Sequence, residues 1–322
     1  MEQVNVHTIF VSNNSDVSLI TGKTLTAKVT GSTTIYTSTF DEDGNAELSI
    51  PYGVKYVLEY PDINGLYVDI AEREYTAGVA SREIIVQYSD ILMGVFGISS
   101  DGKYYTIDSI KLGLEDGSLS ASDFVAVGVS SPELIRATRG DGVTSNCSFC
   151  YNIADTTVVS RMWADSDISF NPNKLPYITT LSAAASSQID GNYNTAKIIE
   201  VSANGECGTW TYNRETRQYD GTDLKSVGCP AATYCHEKSL TINGVKRNGF
   251  LPSFYQIYVA KNNLSSIQEL YTLLGKTFPN IASGYWWTSC QYSEAYSVYL
   301  LIGSFYRDYK AYSGSVLPVY DL

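Results

Sequence analysis

The sequence is short of charge, proline and histidine. Charged residues make up 17% of its 322 positions, with 9 prolines and 2 histidines. Set against 44% hydrophobic residues, so little charge describes a globular chain and excludes a disordered one. With only His7 and His236 present, a Ser-His-Asp or Cys-His arrangement would rest on His236 alone. Basic clusters are missing too. Lys and Arg number 22 against 34 Asp and Glu, for a formal charge of −12. Such a chain repels phosphates, which argues against nucleic acid or an anionic membrane surface as partner. The longest apolar run, "ILMGVFGI" from Ile91 to Ile98, is far too short to insert through a bilayer. The start, "MEQVNVHTIFVSNNSD", lacks the basic region and apolar stretch of a signal peptide. Either the protein is not exported by that route or a leader has been removed.

Metal and cofactor signals are weak. The cysteines are Cys147, Cys150, Cys207, Cys229, Cys235 and Cys290, too sparse in a chain this long for a disulfide framework. "CSFC" has metal-ligand spacing, and Cys229 with Cys235 could add two ligands, but their separation is looser than in zinc knuckles. Buried thiols, or one or two local disulfides, are the expected state. The carboxylates of "ADSD" and "DGNYN" lack calcium-loop spacing. No metal, cofactor or catalytic group is expected.

What is present is a strand grammar. "TGKTLTAKV", "STTIYTSTF", "NAELSI", "YVLEY" and "REIIVQY" are rich in β-branched and aromatic residues. The turns "DEDGN", "PYG" and "DING" separate the early ones. Residues 1–88 therefore read as a small β-sandwich, a spacer or attachment domain. Its turn pattern resembles immunoglobulin-like or prealbumin-like modules of bacterial surface and phage tail proteins. Residues 89–322 read as an α+β domain with a small antiparallel sheet. "GVFGISSDGKYYT" opens it with a hairpin around Asp101–Gly102. Helices are expected in the Ala-rich half of "LPYITTLSAAASSQI", in "AATYCHEKSL" and in "LSSIQELYTLLGK", the last capped by Ser265 or Ser266 and stopped by Gly275.

Five segments then line up in order: "GVFGISSDGKYYT", "AVGVSSPELIRAT", "DGNYNTAKII", "PAATYCHEKSLTINGVKRNGFLPSFYQIY" and "WTSCQYSEAYSVYLLIGSFYRDYKAYSGSVLPVYDL". This series resembles the variable proteins of diversity-generating retroelements of gut Bacteroides and their phages, which share a C-type-lectin-like fold. The resemblance spans about residues 91–322 and is most specific where Gly249–Pro252, the Leu-rich helix and the Trp-Thr-Ser run keep their order. It implies a variable segment within 285–322, copied with errors at template adenines. Fixed positions would be Trp287, Tyr292, Val298, Leu300, Gly303, Phe305, Lys310, Val316, Pro318 and Val319. Diversified, ligand-binding positions would be Ser297, Tyr299, Leu301, Ile302, Ser304, Tyr306, Arg307, Asp308, Tyr309, Ala311, Tyr312, Ser313 and Gly314. Each of these is reachable from an Asn codon by changing adenines alone. Lys, Glu, Gln, Met and Trp are not reachable, and none stands there. Leu317 and Tyr320 depart from the family, which often carries arginine at both, and Cys290 replaces a common Thr.

The residues themselves point the same way. Alternation sends Val298 and Leu300 to one side and Ser297, Tyr299 and Leu301 to the other. Tyr285, Tyr292, Tyr296, Tyr299, Tyr306, Tyr309 and Tyr312 make up a quarter of residues 285–312, against 26 tyrosines in 322 residues overall. Tyrosine offers a large amphipathic contact at low entropy cost, as in paratopes, and is also at home in sheets. The resemblance implies a receptor-binding protein: a phage or prophage tail adhesin, or a bacterial surface adhesin. Its partner would be a protein or glycan receptor, and a homo-oligomer such as a trimer would add avidity. The alternatives are an array that serves as an oligomer interface, a calcium-independent lectin, and a formylglycine-generating-type enzyme with Cys290 as nucleophile and Cys229 or Cys235 beside it.

Overall fold

The computed structural model describes residues 6–13, 18, 20–61, 67–69, 74–78, 82–89, 92–135, 137–138, 142–178, 189–293, 295–301 and 304–322. The chain is mixed and rich in antiparallel sheet, and it divides into two units, residues 1–93 and 94–322. Among the described residues no helix is long and apolar enough to cross a membrane.

In the first unit two four-stranded sheets share one core. One sheet runs Asn45–Pro51, Val6–Asn13, Arg82–Ser89, Tyr67–Asp69, and the other Ile35–Thr39, Thr24–Val29, Lys55–Glu59, Glu74–Thr76. Strict alternation produces the core. Ala46, Leu48 and Ile50 are buried while Asn45, Glu47 and Ser49 face water. They meet Leu25, Ala27, Tyr56, Leu58 and Tyr75 of the second sheet. The "DEDGN" turn works as its residues suggest. Asp41 Oδ1 accepts from the Asp43 and Asn45 amides, and Gly44 takes a left-handed φ of 77°. "DING" lies outside the described residues. Val6–Asn13 was not foreseen as a strand. It pairs antiparallel with Asn45–Pro51 and parallel with Arg82–Ser89.

The second unit carries two large sheets rather than the one small sheet expected. A seven-stranded antiparallel sheet runs Tyr104–Thr106, Gly94–Ser99, Phe124–Ser130, Phe149–Asn152, Val319–Asp321, Val245–Phe250, Ser239–Ile242. It thus holds both the first and the last strand of the unit. A five-stranded sheet runs Val159–Met162, Ser313–Val316, Tyr285–Gln291, Tyr296–Leu301, Ser304–Tyr309. A three-stranded sheet (Ser169–Phe170, Cys207–Asn213, Gln218–Lys225) stands beside it.

Two expected helices form, Pro230–Glu237 and Leu264–Leu273. The second starts after Asn263, so neither Ser265 nor Ser266 caps it. Both already lie inside the first turn, and the Asn263 side chain donates back to Val259 O instead. Gly275 ends it with a φ of 69°, its amide on Thr272 O and that of Lys276 on Tyr271 O, a Schellman closure. The helix expected in the Ala-rich half of 175–189 falls on residues that, up to 188, lie outside the described ones. Three further helices form at side-chain caps. They are Ile107–Asp116 behind Thr106, Gly191–Ala203 behind Asp190, and Phe254–Asn262 behind a Ser253–Gln256 capping box.

The chain end is drawn into this core. Asp321 is half-buried, with Asn192 Nδ2 donating to its Oδ2 and Arg247 Nε to its carbonyl. Burial, reinforced by the Asp190 carboxylate, raises its pKa to about 6 against the opposing pull of Asn192 and Arg247. Folding therefore favours the protonated form, and stability falls as pH rises through about 6. Asp321→Asn is expected to raise Tm by a few degrees at pH 8, with the gain disappearing by pH 4. Thermal melts across that range check it.

Candidate functional site

The five-stranded sheet lies between cores. Trp286 and Leu300 belong to the largest cluster, with Phe149, Phe250 and Leu270. Val298 and Cys290 pack with Phe254 and Ile178. On the opposite face Trp287 and Tyr299 pack with Trp163, Phe170 and Val316. The strand Tyr285–Gln291 is buried from Trp286 onward, and its ladder to Tyr296–Leu301 shifts register between Trp287 and Gln291. The polar groups freed there are used locally. Thr288 Oγ1 donates to Val298 O, and the Ser289 amide to Pro252 O.

Gln291 ends that strand and meets Lys310, which is fully buried. Lys310 Nζ donates to Ile168 O and Gln291 Oε1, both at 3.0 Å. It also lies 5.2 Å from the Trp163 ring centroid and 5.5 Å from that of Phe170. Gln291 Nε2 donates to Phe170 O and Leu175 O. The Lys310 backbone is clamped as well, its amide on Ala295 O and its carbonyl accepting from Ala164 N. Beside it the Ala311 amide donates to Asp167 Oδ1 at 2.9 Å. Gln291 and Asp167 escaped the sequence reading because no local pattern marks them.

From this anchor an accessible run extends in both directions. Tyr306, Tyr309 and Tyr312 are 47%, 37% and 54% exposed. Arg307 and Ser313 are exposed, while Asp308 and Ala311 are half-buried. Ser304–Tyr309 pairs with Tyr296–Leu301 throughout and forms the sheet's edge. Cross-strand register divides the run between two faces. Tyr306 stacks on Tyr299 at 5.8 Å, and Tyr299 on Tyr285 at 3.9 Å. On the other face Tyr309 meets Tyr296 at 4.7 Å and Tyr312 at 5.5 Å, while Arg307 lies over Tyr292 at 4.6 Å. Burial, with Asp308 adding its charge, pushes the phenols of Tyr285 and Tyr299 up. Hydrogen bonding to Tyr296 does the same for Tyr309.

Three positions expected to face the ligand are buried. Ser297 is fully enclosed, its Oγ donating to Cys290 O at 2.7 Å. Tyr299 is 7% exposed within the aromatic stack. At Gly314 a Cβ would meet the Tyr285 ring at 2.5 Å and Trp287 Nε1 at 2.9 Å. The reason is the strands' position. Tyr296–Leu301, which carries Ser297 and Tyr299, and Ser313–Val316, which carries Gly314, are interior strands packed on both faces, so alternation no longer separates inside from outside. The side chains of Leu301 and Ser304, and all of Ile302, lie outside the described residues, as do Gly303 and the Phe305 side chain. Among the other positions assigned as fixed, Trp287, Val298, Leu300, Lys310, Val316, Pro318 and Val319 are buried and Tyr292 is half-buried. Leu317 and Tyr320, where the resembled family carries arginine, are buried too.

All six cysteines are free thiols and buried. Cys290 accepts from the Phe254 amide and Asn194 Nδ2, and burial pushes its thiol up to about 12. Burial raises Cys207 to about 12 as well, and moves Cys150, Cys229 and Cys235 the same way. Thiols so held stay protonated at neutral pH and are poor nucleophiles. His236 is exposed in the last turn of Pro230–Glu237. Among the described residues no cluster of three or more His, Cys, Asp or Glu could hold a metal ion. Comparison with protein-family models, curated proteins and solved structures returned no match.

The node makes an ordering prediction. Gln291→Leu leaves a buried ammonium short of an acceptor and removes the Gln291 amide from Leu175 O and from Phe170 O, which keeps the Ser169 hydroxyl, and is expected to cost about 3 kcal/mol. Lys310→Met removes the charge together with its desolvation burden, so it should cost less than half as much. Urea denaturation of both variants measures the order.

Proposed function

We propose that the 94–322 unit is a ligand-binding module that presents Tyr306, Arg307, Tyr309 and Tyr312, with Asp308, Ala311 and Ser313 between them, to a receptor. The observation that carries this reading is Lys310. In the run 306–313 every position assigned as replaceable is exposed or half-buried, and the one assigned as fixed is fully enclosed. A merely solvated sheet edge has no need of a buried lysine beneath its last turn.

The chemistry suits recognition. Tyrosine supplies broad contact and a hydrogen-bonding tip at two side-chain torsions. Arg307 and Asp308 add opposite charges that tune partner choice. The arrangement agrees with a retroelement-diversified variable protein on a C-type-lectin-like fold, serving as a phage-tail or bacterial surface adhesin. The 1–93 unit, with its two sheets, would then be an immunoglobulin-like or prealbumin-like spacer. The receptor is a protein or a glycan on a target cell. A second reading rests on one observation, the edge position of Ser304–Tyr309, which could join copies strand to strand.

Replacing Tyr306, Tyr309 and Tyr312 together by Ala is expected to reduce target-cell binding at least tenfold with Tm unchanged, since all three rings are at the surface. Flow cytometry with labelled protein reads binding, and light scattering reads the oligomer. Unchanged binding by a folded variant rejects the proposal. Loss of an oligomer in place of binding favours the interface between copies. At the DNA level, the proposal expects a near-copy of this coding segment beside a reverse-transcriptase gene, differing only at adenines.

A further inference from the structure

A cavity of about 380 Å³ opens at one end of the seven-stranded sheet. None of its lining residues belongs to the five-stranded sheet, so it is separate from the tyrosine surface. Phe124, Ile153 and Leu240 line it and are each at least nine-tenths buried. Ser122, Thr241 and Lys276 line it too, and these three are exposed. The volume falls in the range of about 300–1,000 Å³ usual for small-molecule sites, and apolar walls with a few polar groups are their usual make-up.

Lys276 gives the cavity its sign. Among the described residues it is the only charged one of the lining. It follows the Gly275 turn that closes the Leu264–Leu273 helix, so its backbone position is fixed by that closure. Nearby Lys238 is neutralised by Asp155 at 3.0 Å, and Lys111 by Glu269 at 2.8 Å. Lys276 enters no ion pair among the described residues. Lys276 is thus an exposed ammonium in the cavity lining, open to an anionic ligand in a chain of formal charge −12.

We propose that this cavity binds a small carboxylate with an apolar body the size of one aromatic ring and a short chain. The body would rest on Phe124, Ile153 and Leu240, and the carboxylate would meet Lys276, with the hydroxyls of Ser122 and Thr241 in the same lining. The site is independent of receptor binding.

The test is calorimetric titration of the full chain with 4-phenylbutyrate and with its neutral counterpart 4-phenylbutanol. The acid should bind at one site per chain, about tenfold tighter than the alcohol, as a charge-assisted contact provides. Lys276→Ala should remove that difference and leave alcohol binding unchanged. Thr241→Trp, a surface change that fills the mouth, should abolish binding of both. No saturable binding of the acid by the parent chain overturns the proposal. So does binding that Thr241→Trp leaves intact, or an acid preference that survives Lys276→Ala. Melting curves of both variants exclude unfolding as the cause of any loss.

Discussion

A lysine ammonium taken out of water must find its partners inside the protein, and Lys310 does so where the chain makes its last turn. Its ligands come from separate stretches: the carbonyl of Ile168, the side chain of Gln291, and the rings of Trp163 and Phe170. Burying the charge is unfavourable in itself and tolerable only with those contacts complete. The geometry around the turn is therefore held by a strong requirement. Gln291 passes that requirement on through its amide to Phe170 and Leu175, so the segment 168–175, the strand Tyr285–Gln291 and the turn after Tyr309 are placed together.

The placement decides what faces water. With Lys310 pointing inward, Tyr309 and Tyr312 on either side remain outside, in contact with each other. Tyr306 and Arg307 are carried by the edge strand and backed by aromatic rings, Tyr299 on one face and Tyr292 on the other. A surface ring braced in this way has less rotamer freedom to lose on binding, which is how a small number of side chains can make a specific contact.

Much of this was legible in the sequence where the information is local. "DEDGN" names its own turn through Asp41 and Gly44, and Leu-rich spacing gives the helix that Gly275 ends. The helices behind Thr106, Asp190 and Ser253 carry caps that are local signals too. Val6–Asn13 was out of reach because one of its two neighbours is a parallel strand more than seventy residues away, and no turn signal encodes such a pairing. Ser297 and Tyr299 failed for a related reason. Alternation tells which residues share a face but not whether that face is covered. The cover comes from Trp163, Phe170 and Phe254, distant in sequence.

The same distinction limits how far a displayed surface on this frame can vary. At Tyr306, Arg307, Tyr309, Tyr312 and Ser313 a new side chain projects into solvent and disturbs little beyond itself. At Ser297 any larger group would have to displace the hydrogen bond to Cys290 O and enter a closed core. At Gly314 even one methyl collides with Tyr285, the ring on which Tyr299 and then Tyr306 are stacked. A change there would be felt at Tyr306 without touching it. Positions equally free at the level of codons are thus unequal at the level of packing, and the sites that can change independently are those on the solvent side of Lys310.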